Sequence, residues 1–295
     1  MLLRLNVSLL NMNLKPIISI IIPLYNKEES IIKTLESIIT QDFNNYEIVV
    51  VDDGSTDNSL VLVKNLNSDK IKVFQKTNGG PASARNYGVT KAAGKYGLFL
   101  DADDSLEPGA LKHLSYLIHK EPDCEFFCCN HFIEEKGVKT LYSTLFKNGY
   151  VRNNFFAYHT KRIRPRAGAA LFSMNLLQKY PYDEQLWRYE DADSVFNIMR
   201  NTRAYTSPVP IMTYNRNNSD ASKPRKHIAE DFIGHLSYDG KDCWEQLTLY
   251  NLYIQGCQIY PEDMKKLYDP RKMYNFKIKI CKKIITILTI VGYIK

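Results

Sequence analysis

The chain has 295 residues, 44% hydrophobic and 24% charged, an ordinary globular composition that excludes a disordered chain and leaves room for one large core or two small ones. Its 39 Lys and Arg against 32 Asp and Glu give a formal net charge of +7, but the signs are interleaved along most of the sequence, with no dense basic stripe for nucleic acid outside the tail. The six cysteines, at 124, 128, 129, 243, 257 and 281, lack the paired short spacings of a zinc site and read as buried free thiols in a reducing cytosol.

The opening residues 1–15 read as a leader: the apolar stretch is short, broken by Asn and without a small-residue cleavage site. From Ile17 short apolar runs alternate with amphipathic segments. IISIII predicts a strand, and Ile31, Ile32, Leu35, Ile38 and Ile39 share one helical face. YEIVVVD (Tyr46 to Asp52), a short helix with Leu60, Val63 and Leu66, IKVFQ (Ile71 to Gln75), a helix near Ala82 to Ala92 and YGLFL (Tyr96 to Leu100) repeat the pattern. Strands apolar on both faces and separated by helices imply a parallel sheet covered on each side. A helix with Leu111, Leu114 and Leu117 leads to the strand CEFFCC, after which the period is irregular to about Lys161. A helix starts near Glu190, VPIMTY (Val209 to Tyr214) reads as a strand, and about Lys226 to Cys257 reads as a helix or helical pair.

Open parallel sheets bind ligands beyond the carboxyl ends of their strands. There stand Pro23-Leu24-Tyr25-Asn26, then Asp52-Asp53-Gly54-Ser55, then Asp101-Ala102-Asp103-Asp104, and three polar clusters on one edge describe a site. In an extended segment Asp101 and Asp103 project to one side, as two carboxylates for a divalent ion; the alternative is an acidic turn capping the next helix. In NGGPASARNYG (Asn78 to Gly88) Gly80 permits close backbone approach to a phosphate and Arg85 supplies a cation; the alternative for Arg85 is a surface salt bridge. A base that deprotonates an acceptor hydroxyl must lie outside the metal cluster. Glu190-Asp191, opening a helix after Trp187-Arg188-Tyr189, supplies a candidate, the alternative being a carboxylate that satisfies the helix N-terminus.

Taken in order, PLYN, VVVDDGSTD, NGGPASARNYGV, GKYGLFLDADD and YEDADSVFNI resemble the family 2 glycosyltransferases of the GT-A fold, over about Pro16 to Asn130 and more loosely Arg166 to Ser222. The resemblance implies an α/β architecture: a Rossmann-like, mostly parallel sheet flanked by helices, a small mixed acceptor-side sheet and a helical C-terminal segment. It divides the chain into a glycosyltransferase domain at 16–222, with a nucleotide-sugar half (16–130) and an acceptor half (131–222), and a helical region at 223–295. It further implies inverting transfer from a nucleotide diphosphate-sugar, in particular a UDP-sugar, to a saccharide or lipid-linked saccharide in surface polysaccharide assembly. Pro23, Tyr25 and Glu28 would border nucleobase and ribose, Asp53 would hold the base or ribose edge, and Gly80, Arg85, Asp101 and Ala102 complete the donor site. Asp103, with Asp101, would coordinate Mn2+ or Mg2+, and Asp191 matches the catalytic base. Trp187 and Glu190, with Arg216 and Ser219 of TYNRNNSDAS, would stand on the acceptor or diphosphate side.

The Gln-x-x-Arg-Trp motif and spanning helices of the processive synthases are absent, so the chain resembles the non-processive type. A sugar-phosphate nucleotidyltransferase would need a glycine- and arginine-rich first loop where PLYNKEE stands. A non-catalytic nucleotide-binding module is the remaining alternative, against which the intact Asp101, Asp103 and Asp191 argue. The tail FKIKICKKIITILTIVGYIK is too short in its uncharged part to span a bilayer. It fits either an anionic membrane surface, making the protein cytoplasmic and peripheral, or a helix packed on the core.

Overall fold

The computed structural model describes residues 15–216, 227–291 and 293–294; the expected leader lies outside them apart from Lys15. The first half alternates as its apolar runs require. β1 (Ile18–Leu24), α1 (Ile31–Ile39), β2 (Tyr46–Asp52), α2 (Ser59–Asn65), β3 (Ile71–Gln75), α3 (Gly80–Lys91) and β4 (Tyr96–Phe99) follow one another. β1 pairs in parallel with β2 and β4, and β2 with β3. Leu24 pairs with Asp52 and Asp52 with Gln75, so the strands end together on one rim.

Next come β5 (Ser105–Leu106), α4 (Ala110–Lys120), β6 (Phe126–Glu135), β7 (Val138–Leu141), β8 (Gly149–Tyr150), α5 (Asn154–His159), β9 (Ala170–Ser173), α6 (Met174–Lys179), α7 (Glu190–Asn201) and β10 (Tyr205–Asn215). Among the described residues the strands form one sheet in the order β3-β2-β1-β4-β9-β6-β10-β5, with β7 on β6 and β8 on β10. The mixed part is therefore a continuation of the parallel part. The join is β9, a four-residue strand antiparallel to both β4 and β6.

Both faces of the sheet are covered at its centre, which is why β1, β2, β4 and β9 are buried along nearly their whole length. Ile21, Val49, Val51, Phe126 and Cys128 face one core with α3 and α7, while Ile20, Ile22, Ile48, Val50, Phe127 and Cys129 face the other with α1 and α4. Cys124, Cys128 and Cys129 are buried free thiols, and burial pushes the thiol of Cys128 up to about 12. α3 lies close on β1 because Gly88 has no side chain there: a Cβ would meet Cγ2 of Ile21 at 2.4 Å. After residue 227 the chain is helical, with α8 (Cys243–Ile259), α9 (Pro261–Leu267), α10 (Pro270–Met273) and α11 (Phe276–Ile290). Among the described residues no helix is long and apolar enough to cross a membrane.

Because β9 joins the two parts of the sheet, its fully buried Leu171 carries packing for both. Leu171→Ala should cost about 2–5 kcal/mol through lost burial and the cavity left behind. In a urea titration the midpoint falls at constant slope; a change below about 1 kcal/mol would mean the strand is dispensable.

Candidate active site

The rim is held by side chains that cross between its loops. After β2, Asp53 turns its buried carboxylate to the glycine loop and accepts from the amides of Gly79 (3.0 Å) and Gly80 (2.7 Å) and from Lys76 Nζ (2.8 Å). Gly80 holds a φ of +85°, with open space where a Cβ would stand, so backbone approaches the site where a side chain would intrude. After β4, residues 102 and 103 form a turn rather than the extended segment expected; alternation is not what orients the aspartates. The turn is pinned instead: Ser30 Oγ donates to the carbonyl of Ala102 and Thr34 Oγ1 to that of Asp104, while Asp104 Oδ1 accepts from the amide of Asn215 in β10. Asp104 is thus an internal anchor. Burial, reinforced by Asp101, pushes its carboxyl well above the usual range.

Asp101 and Asp103 both open onto the cavity. Asp103 Oδ2 accepts from Lys27 Nζ at 2.8 Å; burial raises its carboxyl and Lys27 counters in part. Asp101 Oδ1 pairs with one guanidinium nitrogen of Arg85 at 2.9 Å, and the other pairs with Oε1 of Glu190 at 3.2 Å. Arg85 also stacks on Tyr182, 5.3 Å from the ring centre. Burial opposes its charge, yet Asp101, Tyr182 and Glu190 outweigh that and raise its pKa. Arg85 is thus buried in its ion pairs while lining the cavity, rather than bridging on the surface, and its guanidinium ties the aspartate turn to the start of α7.

α7 starts abruptly. Tyr189 sits at its N-cap with φ +56°, a left-handed conformation costly for a residue with a Cβ. The preceding residues are clamped from the C-terminal region: the amide of Trp187 donates to the carbonyl of Glu230, and the amide of Phe232 to that of Arg188. This delivers Glu190, buried beside Arg85, and Asp191, exposed, as the first residues of the helix.

A cavity of about 610 Å³ takes in Pro23, Tyr25, Asp53, Gly80, Arg85, Asp101, Ala102, Asp103, Trp187, Glu190 and Asp191. Two sequence candidates stand elsewhere. Glu28 does not line it; its Oε2 accepts from the amide and side chain of Asn58, both at 2.9 Å, bracing the first loop. Arg216 pairs with the exposed Glu135 at 3.0 Å because β10 runs beside β6, with Asn215 opposite Glu134. Ser219 lies outside the described residues. Lys27, Arg166 and Tyr214, which also line the cavity, were missed. Arg166 stacks on Tyr214 at 3.5 Å, and the basic run KRIRPR before an apolar strand was the only signal for it.

Among the described residues no three His, Cys, Asp or Glu side chains converge as a complete metal cage. The donor set still suits a hard divalent ion that takes one or two carboxylates and completes its shell from phosphate and water. Asp103 already grips a cation, the Lys27 ammonium, and Asp101 shares its cavity.

Beside Arg164 and Arg166 lies His131, fully buried and stacked on Tyr142 at 4.7 Å. Burial, then the two arginines, lowers its pKa to about 3.

The fold is shared with solved glycosyltransferases of the GT-A type. Residues 1–349 of S. aureus TarS, in complex with UDP-GlcNAc, superpose with a TM-score of 0.65 at 22% identity, over 83% of this chain and 73% of that one. A mannosyltransferase from Pyrobaculum calidifontis, in complex with GDP-Man and Mn2+, gives 0.54 at 20% identity over 83% and 65%. Residues 19–181 match the model of Glycosyl transferase family 2, and the chain belongs to that family. Similar sequences include an uncharacterized glycosyltransferase of Rickettsia felis, 33% identical over 181 residues (59% of this chain, 29% of the relative). A hyaluronan synthase of Pasteurella multocida is 33% identical over 151 residues (48% and 14%). The chain thus spans under a third of the length of either.

His131 sets a pH dependence. As pH falls below about 6.5 the unfolded chain takes up a proton at this position that the folded chain refuses until about 3, so stability drops through that window by up to about 1.4 kcal/mol per pH unit. His131→Phe, which keeps a ring against Tyr142, should flatten this part of the curve of urea midpoint against pH. A slope identical to the parent's would show that the imidazole is charged in the folded state.

Proposed function

We propose that this glycosyltransferase inverts the anomeric centre as it moves a sugar from a UDP-sugar to a hydroxyl of a saccharide or lipid-linked saccharide, with Mn2+ or Mg2+ bound. The observation that carries the proposal is that Asp191, at the head of α7, and Asp101 with Asp103, beyond β4, line one cavity. An exposed carboxylate beside an acidic, cation-gripping turn is the pairing an inverting transfer needs. In the reaction Asp191 takes the proton of the acceptor hydroxyl as its oxygen bonds to the anomeric carbon, while the bond from that carbon to the diphosphate oxygen breaks.

Asp103, with Asp101, would hold the divalent ion in place of the Lys27 contact, and the bound ion would neutralise the charge left on the departing diphosphate. The open backbone at Gly80 and the exposed ring of Tyr25 flank the nucleotide, and Asp53 keeps the glycine loop in position for it. Residues 16–130 then serve the donor and 131–222 the acceptor. The UDP-GlcNAc complex of TarS and the GDP-Man and Mn2+ complex of the mannosyltransferase support a nucleotide-sugar donor and a metal. The similarity to a hyaluronan synthase supports a saccharide acceptor in surface polysaccharide assembly. A peripheral place on the inner face of the cytoplasmic membrane belongs to the same reading.

Asp191→Asn should lower transfer by about 10²- to 10⁴-fold, the range for a lost general base, while donor binding followed by thermal shift stays near that of the parent. Near-normal turnover would remove Asp191 from the base role. Asp103→Asn should weaken Mn2+-dependent stabilisation by UDP, and excess EDTA should stop transfer. Full activity in EDTA would take the metal out of the reaction.

A further inference from the structure

α11 carries apolar side chains on two faces, and among the described residues only one of them is covered. Ile278 and Cys281 are buried against Leu247 of α8, and Lys282 leans the same way, its ammonium 4.4 Å from the centre of the Tyr250 ring. On the other side Phe276, Ile280, Ile284, Ile287 and Ile290 are exposed, Phe276 to 74% and Ile290 to 78%. Steps of four, four, three and three residues keep these five on one stripe of a 3.6-residue helix. Lys277, Lys279 and Lys283 are exposed beside it, and the sequence has no Asp or Glu from 276 to 295.

We infer that the exposed face of α11 is the surface on which the protein docks to an anionic lipid bilayer, the helix lying in the plane of the headgroups. Fifteen residues make a helix of about 22 Å, shorter than the ~30 Å hydrocarbon layer, so the helix lies on the bilayer rather than through it. The stripe enters the acyl boundary while the lysines reach phosphate, the arrangement of an interfacial helix. A second copy of the chain fits this face poorly, since a symmetric contact would bring the lysines of both copies together without an acid between them.

The place of α11 in the fold gives the docking a consequence. It packs on α8, α8 packs on the short helix Phe232–His235, and that helix packs on α7, which begins with Glu190 and Asp191. The bilayer would therefore lie nearer the acceptor half than the nucleotide half, as an acceptor carried on a lipid requires. The inference deepens the peripheral location proposed above and rests on it.

The test is co-sedimentation of the full chain with vesicles of phosphatidylcholine alone and with vesicles in which about a third of the lipid is phosphatidylglycerol. The parent should pellet with the second and not with the first. Ile284→Asp with Ile287→Asp should reduce binding at least tenfold at an unchanged melting temperature, since both side chains are exposed. Lys277→Gln, Lys279→Gln and Lys283→Gln together should reduce it about 100-fold, taking roughly fivefold for each lysine near an anionic surface. If the parent binds and both variants bind equally well, another surface docks and the inference falls. Equal binding to neutral vesicles rejects anionic recognition. If the parent binds neither vesicle, the peripheral location falls as well, whereas donor turnover in solution reports separately on transfer. A parent that is dimeric by sedimentation velocity, made monomeric by the two aspartates, would identify the face as a contact between copies and overturn the inference.

Discussion

The site depends on one buried guanidinium. Arg85 reaches from α3 to Asp101, beyond β4, and to Glu190, at the head of α7, so a single side chain fixes the distance between the aspartate turn and the helix that carries Asp191. Burying charge is costly, and a buried ion pair is seldom a net gain over apolar packing; removing one partner, however, costs about 3–5 kcal/mol because the rest are left uncompensated. The arrangement is therefore better understood as a constraint on geometry than as a source of stability. Two carboxylates are drawn toward this one cation, while Asp103 and Asp191, which line the same cavity, are not engaged by the guanidinium.

How much of this was legible in the sequence follows from the range of each signal. β1 to β4 were legible because strands buried on both faces are written as unbroken apolar runs between amphipathic helices. β9 was not, because ALFS is four residues long and passes into α6 without a turn residue or a period. Asp101, Asp103, Gly80 and Asp191 were legible because they follow a strand or open a helix, where ligands of such sheets are met. The pairing of Arg85 with Glu190 spans 105 residues and leaves no local trace, and Lys27 reaches Asp103 across 76.

Several carboxylates of the rim hold its loops together, and one of them, Asp53, also lines the cavity. Asp104 ties the aspartate turn to β10, Asp53 ties the end of β2 to the glycine loop, and Glu28 ties the first loop to Asn58. Each satisfies backbone amides that a loop at a strand end would otherwise leave without partners. A motif that reads as a row of acidic residues thus includes, in three dimensions, carboxylates whose bonds go to the loops themselves. Burial distinguishes Asp104 from its neighbour Asp101, and no spacing rule reports burial in a turn.

Among the described residues, the C-terminal region bears on the site without lining its cavity. Tyr189 takes a left-handed backbone conformation just before Glu190, and such a conformation costs of order 1–3 kcal/mol unless its surroundings enforce it. The enforcement comes from residues 230–232, whose backbone holds Trp187 and Arg188 on one side while Arg85 holds Glu190 on the other. Those residues lead into Phe232–His235, which is packed by α8, the same helix that carries α11. The position of Asp191 is consequently set from two sides, by a guanidinium rooted in α3 and by a backbone clamp rooted in the C-terminal helices.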